Sequence, residues 1–500
     1  RKLMITQELP GHVSGPTSNE LFASSVPLTV TLQDALQIAA RNNSDYQREK
    51  ERVFSVALAL DLTRSDYRNS YSALLSTLLS GEGSGSEAKR LSNSSAAVGL
   101  SRRLESGATL SGKLGIDLVK LLTMDKSSTF GMFADATISI PLLRGAGKAI
   151  AREPLTQAER NVIYAIWSFE RFKKEFAVDV ASNYLEILEL AKQIQNAEAS
   201  YTRIMKTRER VEALSKAGRT PETQVFQAFQ DELTAKNRVV TTTQSFEQRL
   251  DAFNVTLGIP VDARIVFDPE ELLAISRSTM EALAEEPVAA ADTIALETGA
   301  YVLTALTNRL DLMTTRDQYA DARRKLVVAE DSLDADMRLQ LSASTRQTDV
   351  SGGGEDGNEI SFSDGNYSAL LALDLPWDRT RERAAFRLSL IALRQAERDI
   401  ESKEDQVKQQ VRGAVRKIAE LKETYLIQRQ AVTLAERRVA STELLLLAGR
   451  TEIRDVLESQ ESLVRAQDNL GSAVVSYHIA TLELQRSLEL LVVDETGVWR

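Results

Sequence analysis

The sequence predicts a mainly α-helical chain made of two structural repeats, with long antiparallel coiled-coil helices and a smaller β component. Three observations carry this expectation. The tetrapeptide Ala-Gly-Arg-Thr occurs twice, as Ala217, Gly218, Arg219 and Thr220 and again as Ala448, Gly449, Arg450 and Thr451. Each copy is preceded by an apolar seam stepping by threes, fours and sevens. Elsewhere, short stretches alternate apolar and polar residues with period two, the signature of strands.

The first seam reads Phe176, Val180, Ile187, Leu190, Ile194, Ala197, Tyr201, Ile204 and Val211. The same register before the second copy reads Val407, Val411, Ile418, Leu421, Tyr425, Gln428, Val432, Ala435 and Thr442. This is the a/d spacing of a coiled coil. Asn183, Arg208 and Ser215 interrupt the first seam, whereas Ala414, Val439 and Leu446 fill the second. Each half thus contains a long helix that reaches a tight turn and comes back. The first long helix, from about Pro154 to Lys216, would extend roughly 90 Å and must pack along others to bury its seam.

Composition narrows the function classes. The chain has 500 residues, 43% hydrophobic and 26% charged, an ordinary globular balance that excludes general disorder. It has no cysteine, which excludes disulfides and thiolate chemistry, and only two histidines, His12 and His478. A histidine-rich metal site is not expected, and His478 reads as an ordinary packed or surface residue. The net charge of -10 without a dense Lys/Arg run argues against nucleic-acid binding. No apolar run approaches the roughly 18 residues of a membrane-spanning helix. The chain begins at Arg1, and the expectation is that an export signal has been removed.

Residues 1–27 read as an extended N-terminal arm. Leu28, Thr29 and Val30 form a short extended entry, and Thr31 caps a helix with Asp34 in its first turn. The helical pattern started by Ala35, Leu36, Ile38 and Ala39 is expected to run to about Leu79 and to end at the Gly/Ser cluster that follows. Strands are expected at about 94–118, 130–141, 335–346 and 366–376. In the second of these, Met132, Ala134, Ala136, Ile138 and Ile140 share one face, with Phe133 breaking the polar one. In the first, Leu110, Gly112, Leu114, Ile116 and Leu118 alternate with polar residues. The other two carry Met337, Leu339, Leu341 and Ala343, and Tyr367, Ala369, Leu371, Leu373 and Leu375. The first stretch is long enough to be one bulged strand or a hairpin. Residues 351–366 read as an exposed loop. Repeat 1 would span 28–257, with its tip turn at 217–221. Residues 258–287, with Pro260, Pro269 and Pro287, form a connector. Repeat 2 would span 288–492, with its tip turn at 448–452, and 493–500 form a tail.

A four-stranded sheet with one wholly apolar face needs a cover. It is either a small soluble sheet packed on the helical body or, since three chains would supply twelve strands, part of a closed transmembrane barrel.

The layout resembles TolC-type outer-membrane efflux proteins, the outer membrane factors, over about residues 28–492. The supporting stretches are Leu32-Gln33-Asp34-Ala35-Leu36 with Asn42-Asn43, and Ile140-Pro141-Leu142-Leu143-Arg144-Gly145. Further support comes from Glu175-Phe176-Ala177-Val178-Asp179-Val180-Ala181, Leu257-Gly258-Ile259-Pro260, and Asp455-Val456-Leu457-Glu458. Their order, spacing and duplication carry the resemblance. It implies a homotrimer with a twelve-stranded barrel in outer-membrane lipid and a twelve-helix α-barrel in the periplasm. It also implies a periplasmic adaptor docked at the tips 217–220 and 448–451, and an inner-membrane transporter that drives export of small toxic molecules or secreted polypeptides. Asp455 and Glu458, one helical turn apart, would line the periplasmic gate, each becoming a ring of three carboxylates in a trimer. Their first-half equivalents are Gln224 and Gln227. Arg219, Arg450 and Arg454 would pair with gate carboxylates or contact the adaptor. Gly218 and Gly449 supply the positive φ of a tight turn.

Trp377 reads either as a membrane-interface aromatic or as a strand-end core residue. Lys148, after Gly145-Ala146-Gly147, lacks phosphate-loop spacing and reads as a strand-to-helix bend. No catalytic triad, paired-carboxylate site or dinucleotide fingerprint is present, so neither enzyme activity nor a cofactor is expected. The reading from a different class is a soluble coiled-coil scaffold or adaptor with a small β domain.

Overall fold

The first helix begins where Thr31 caps it: Thr31 Oγ1 accepts from the Asp34 amide at 3.2 Å, and Asp34 Oδ2 accepts from the Thr31 amide at 3.2 Å. In the computed structural model of the chain, the described residues are 28–82, 89–121, 129–267, 274, 277, 291–350, 365–375, 377–494, 497 and 498. The expected N-terminal arm 1–27, Pro376 and most of the connector and of the 351–366 loop lie outside them. The elements run β1 (Leu28–Thr29), α1 (Leu32–Asn42), α2 (Ser44–Ser65), β2 (Ser70–Glu82), β3 (Lys89–Arg103), β4 (Thr109–Leu121) and β5 (Thr129–Pro141). There follow α3 (Lys148–Ala151), α4 (Glu153–Lys216), α5 (Glu222–Leu257) and β6 (Ile265–Val266). The chain continues with α6 (Ala291–Asn308), α7 (Leu310–Asp331), β7 (Asp336–Val350), β8 (Asn366–Asp374), α8 (Thr380–Leu447) and α9 (Ile453–Ser487).

The chain divides into two compact units. One comprises Arg1–Glu51, Trp167–Met313 and Ser402–Arg500; the other comprises Arg52–Ile166 and Thr314–Glu401. In the first unit the main core gathers α1, α4, α5 and α9. Val30, Leu36, Val180, Tyr184, Ile187, Phe253, Leu257 and Val475 are all buried there. Tyr184, Phe253 and Phe267 pack as an aromatic trio, and the Tyr184 hydroxyl donates to the Val30 carbonyl at 3.1 Å. A parallel pairing of β1 with β6 closes this end, Leu28 opposite Ile265. Asn43 ties the junction of α1 and α2 to the end of α5: its Nδ2 donates to the Thr256 carbonyl at 2.8 Å while its Oδ1 caps Asp45 and Tyr46. Gly258 ends α5 at φ 69°, and a Cβ there would lie 2.5 Å from the Asn42 carbonyl. Only glycine meets both demands. The Asn42-Asn43 and Leu257-Gly258 stretches singled out from sequence therefore meet in space.

The coiled-coil seams behave as expected. In α4 Val180, Ile187, Ala197, Ile204 and Val211 are buried; in α8 Val407, Val411, Leu421, Tyr425 and Val439 are buried. Arg208, an interruption of the first seam, forms ion pairs with Glu232 of α5 and, at 2.8 Å, with Glu212. The start of α7 holds a denser network. Arg309 is 2% exposed and grips Asp311 at 2.7 Å, with Gln410 at 2.6 Å. Arg171 and Lys403 reach the same carboxylate at 2.8 and 2.9 Å. Burial alone would raise the Asp311 pKa. Hydrogen bonds from Arg309 and Lys403 and the charge of Arg171 outweigh it and hold the carboxyl well below the usual range.

The second unit corrects the sequence expectation. The helix expected to continue to about Leu79 ends at Ser65, and residues 70–82 form the strand β2. A short run of backbone turns at Asp66, Tyr67 and Arg68 unwinds the helix, and the Tyr67 hydroxyl donates to the Ala151 carbonyl at 2.6 Å. The doublets Leu74-Leu75 and Leu78-Leu79 recur every four residues and so imitate a helical stripe. Pairing with β3 along the full length of β2 overrides that local pattern. The stretch 94–118 is likewise a hairpin. It contains parts of β3 and β4, joined by a turn in which the Leu104 amide donates to the Ala108 carbonyl at 2.8 Å. The expected four strands are therefore six, in the antiparallel order β2-β3-β4-β5-β7-β8. The count of twelve for three copies rested on four per chain. The expected strands at 130–141, 335–346 and 366–376 correspond to β5, β7 and β8. After β5, Gly145 donates to Asp331 at 2.8 Å and Lys148 pairs with Glu105 at 3.0 Å, so Gly145-Ala146-Gly147 is the expected bend.

The register sorts the sheet into two faces. Tyr71, Leu100, Gly112, Ala136, Ala343 and Tyr367 lie side by side across all six strands. One step along, Ser70, Ser101, Ser111, Thr137, Ser342 and Ser368 form the opposite row. The apolar face is open: Leu75 is 80% exposed, and Val98, Leu114, Ile116, Leu371 and Leu373 are exposed as well. Among the described residues no helix is long and apolar enough to cross a membrane.

Asp311→Asn leaves Arg309 buried without its carboxylate and is expected to cost about 3 kcal/mol. Because the folded pKa of Asp311 is depressed, its contribution is present at neutral pH and fades as the pH drops below about 4, the unfolded value, toward the folded one. Thermal unfolding of wild type and variant across that range should show the gap in Tm closing at the acid end. A gap independent of pH would contradict the role given to the ionised carboxylate.

Candidate functional site

The tip turns are built by the last residues of α4 and α8. In the first, the Gly218 amide donates to Ser215 at 2.9 Å and the Arg219 amide to Leu214 at 2.9 Å. In the second, Gly449 donates to Leu446 at 3.0 Å and Arg450 to Leu445 at 2.9 Å. Both are Schellman ends, which satisfy carbonyls that a bare helix terminus leaves free. Gly218 and Gly449 have φ of 71° and 67°, and open space surrounds the Cβ position of each. Ala217, Gly218, Arg219, Ala448, Gly449 and Arg450 are exposed; Thr220 and Thr451 are half-buried.

The two turns share one small core. Ile204 and Val211 of α4, Ala228 and Ala235 of α5 and Ile453 and Leu457 of α9 are buried together, with Leu446 of α8 against them. This fixes the start of α9, and with it Asp455. Thr451 Oγ1 donates to Asp455 Oδ2 at 2.6 Å, holding the half-buried carboxylate over the first turn. Glu458 is exposed and paired with Arg438 of α8 at 3.0 Å. Arg454 is exposed and makes no ion pair among the described residues; the arginine that meets the expected gate carboxylate is Arg438. Below this level Thr442 bonds Ser459 at 2.9 Å and Gln460 donates to Glu443 at 3.1 Å, so α8 and α9 are joined by polar side chains. Further along, Asp468 of α9 takes Asn196 of α4 at 2.9 Å and Arg238 of α5 at 2.6 Å.

No protein-family model matches the sequence, and no curated protein is significantly similar to it. Solved structures are similar in fold. CusC, described in terms of transmembrane channel formation, superposes with a TM-score of 0.65 at 15% identity, covering 92% of this chain and 92% of its own. The outer membrane protein VceC of Vibrio cholerae gives 0.65 at 14% identity, with 91% and 95% covered. The CmeC outer membrane channel of Campylobacter jejuni gives 0.63 at 13%, with 94% and 91% covered. The chain has the fold of TolC-like outer-membrane channels.

Within this channel fold, the tip residues expected from sequence lie in one neighbourhood of the first unit. Arg438 escaped the sequence reading because it lies twelve residues before Arg450 and no local motif marks it; only antiparallel packing of α8 and α9 brings it to Glu458. Asp231 of α5 escaped it too. Burial and the charge of Glu461 on α9 hold its carboxyl above the usual range. Trp377 is fully exposed, which removes the strand-end core alternative within this chain. His478 is half-buried, with its ring edge-on to Tyr477 at 6.3 Å. No group of three metal-ligating side chains occurs among the described residues.

Gly218→Val and Gly449→Val are each expected to cost at least about 1 kcal/mol, because a branched side chain disfavours positive φ. Asparagine, which tolerates that region, should restore most of the loss, since the Cβ meets nothing. Thermal melts followed by circular dichroism would show it; equal losses for Val and Asn would mean that the surroundings, not the backbone, select glycine.

Proposed function

We propose that three copies of this chain form a passive export duct. Its sheets close a barrel in outer-membrane lipid, and its paired helices form a tunnel that reaches into the periplasm. The observation that carries this reading is the six-stranded sheet, one face of which carries most of its apolar side chains and is exposed. A face of that extent is stable in water only when covered, and lipid is the cover that a closed antiparallel sheet takes. The likeness in fold to outer-membrane channels supports it. So do open apolar positions on the helices, Phe226, Phe229 and Leu233 of α5 and Ile427 and Leu434 of α8, which keep coiled-coil spacing. A neighbouring copy would cover those seams. The order helix, helix, strands, long helix, tight turn, helix occurs on either side of the connector and supports an internal duplication.

In this reading the exposed tips at 217–220 and 448–451 receive a periplasmic adaptor, and an inner-membrane transporter drives the cargo. Asp455 and Glu458 face the axis at the periplasmic entrance, where threefold repetition makes each a carboxylate ring that attracts cations. The Arg438–Glu458 pair joins α8 to α9 at the entrance. The duct itself carries out no chemistry.

Single-channel recording of the detergent-purified protein in a planar bilayer tests the reading. Discrete, cation-selective steps are expected, and Asp455→Ala with Glu458→Ala should cut cation selectivity several-fold. A protein that stays soluble without detergent and gives no conductance would be the scaffold instead. Unchanged selectivity in the double variant would remove the gate assignment alone.

A further inference from the structure

The first hairpin of the sheet, β2–β3, was invisible as a hairpin in the sequence and has no place in a twelve-stranded barrel. We propose that it is part of the membrane wall, so that β2 of one copy pairs with β8 of the next and three copies close a barrel of eighteen strands. The proposal rests on the export-duct reading and specifies its wall.

Four observations carry it. The pairing of β2 with β3 runs unbroken from Ser70 opposite Ser101 to Glu82 opposite Lys89, and that of β3 with β4 from Leu91 opposite Leu121 to Arg103 opposite Thr109. The hairpin is therefore continuous with the remaining sheet. Its side chains also sort onto the same two faces. Ala73, Val98, Leu114 and Ala134 form one apolar row, and Leu75, Ala96, Ile116 and Met132 another. A hairpin folded away into water would have no reason to keep this alignment.

Charge gives the third argument. Residues 70–81 of β2 contain no charged side chain, and in β3 every charge sits at an end, Lys89 and Arg90 at one and Arg102 and Arg103 at the other. The uncharged lengths match the roughly 9–11 residues of a membrane strand. By contrast β4 and β5 carry charges in mid-strand, Lys113, Asp117 and Asp135, in the register of the polar face, and Lys120 sits next to the end of β4. Polarity at the edges gives the fourth. The polar face bears large aliphatic residues at its two outer strands, Leu74 and Leu78 on β2 and Leu370 on β8, all exposed. Joining edge to edge between copies would place these leucines next to one another and reduce their exposure. The directions fit as well. Five successive antiparallel pairings leave β2 and β8 running oppositely, so β8 beside a neighbour's β2 continues the antiparallel pattern. The closed wall would have no free edge.

The cysteine-free sequence makes the test clean. Leu75→Cys is combined in turn with Ala369→Cys, Leu371→Cys and Leu373→Cys, all on the apolar face. Within one copy these positions sit on opposite edges, five strand spacings or about 24 Å apart, too far for a disulfide. Oxidation of the full-length protein in outer membranes is expected to shift at least one pair from a single-chain band to a three-chain band on a denaturing gel, reversibly on reduction. Leu114→Cys on β4, combined with the same β8 positions, should not crosslink. A three-chain band from the β4 pairs instead would overturn the proposal and make the wall twelve-stranded, leaving the duct intact. So would a native trimer without crosslinks from the β2 pairs. A protein that is neither trimeric nor in the membrane fraction would overturn the duct reading as well. As a second measurement, an environment-sensitive fluorophore on single-cysteine Leu75→Cys should be quenched severalfold by brominated lipid. No quenching would overturn the placement of β2 in the wall.

Discussion

A sheet that gathers most of its apolar side chains on one open face is poorly suited to stand alone in water, and the rest of the structure is best understood from that constraint. The six strands place Tyr71, Leu100, Ala136, Ala343 and Tyr367 in one row and a ladder of serines and a threonine in the next. Tyr71 and Tyr367 at the two ends of the apolar row are exposed. The backbone groups at the outer edges of β2 and β8 are likewise open to pairing. Closing the edges between copies and putting the apolar face in lipid would satisfy both demands at once, which is why the duct reading explains the sheet more fully than a scaffold does.

The helical unit solves a different problem. Long helices gain little from their own hydrogen bonds and depend on side-chain packing for stability. Seam residues such as Ile187, Val211, Val407 and Val439 supply that packing within the chain. Polar links then set the relative positions of the helices: Arg208 with Glu232, Asp468 with Asn196 and Arg238, and Arg309 with Asp311 and Gln410. These links are directional where the apolar seam is not, so they fix which helix faces which. At the tips the same division holds. Ile453 and Leu457 anchor the start of α9 in a small core, and Thr451 and Arg438 then orient the two carboxylates on its exposed side.

Much of this was legible in the sequence. The tip turns could be read because a Schellman end needs a residue at positive φ, and glycine followed by the same arginine marks it twice. The cap at Thr31 and the seams were visible for the same reason: local spacing decides them. The partners of Asp311 and Glu458 were not legible, since Arg171, Lys403 and Arg438 come from other helices and no short motif ties them to their carboxylates. The missing strand shows the opposite failure. Residues 70–82 carry leucine doublets at helical spacing, and a reader of local pattern assigns a helix.

By itself, then, the sequence determined the helix-and-strand character of the chain, the two tight turns, the apolar seams and the absence of cysteine chemistry. These depend on backbone preference and on periodicity over a few turns. Only the tertiary structure decided that β2 is a strand, that 94–118 is a hairpin, and that six strands rather than four share one register. Strand pairing is a contest between segments distant along the chain. The hydrogen bonds that β3 offers to β2 outweigh a helical pattern that, without a partner, would have prevailed.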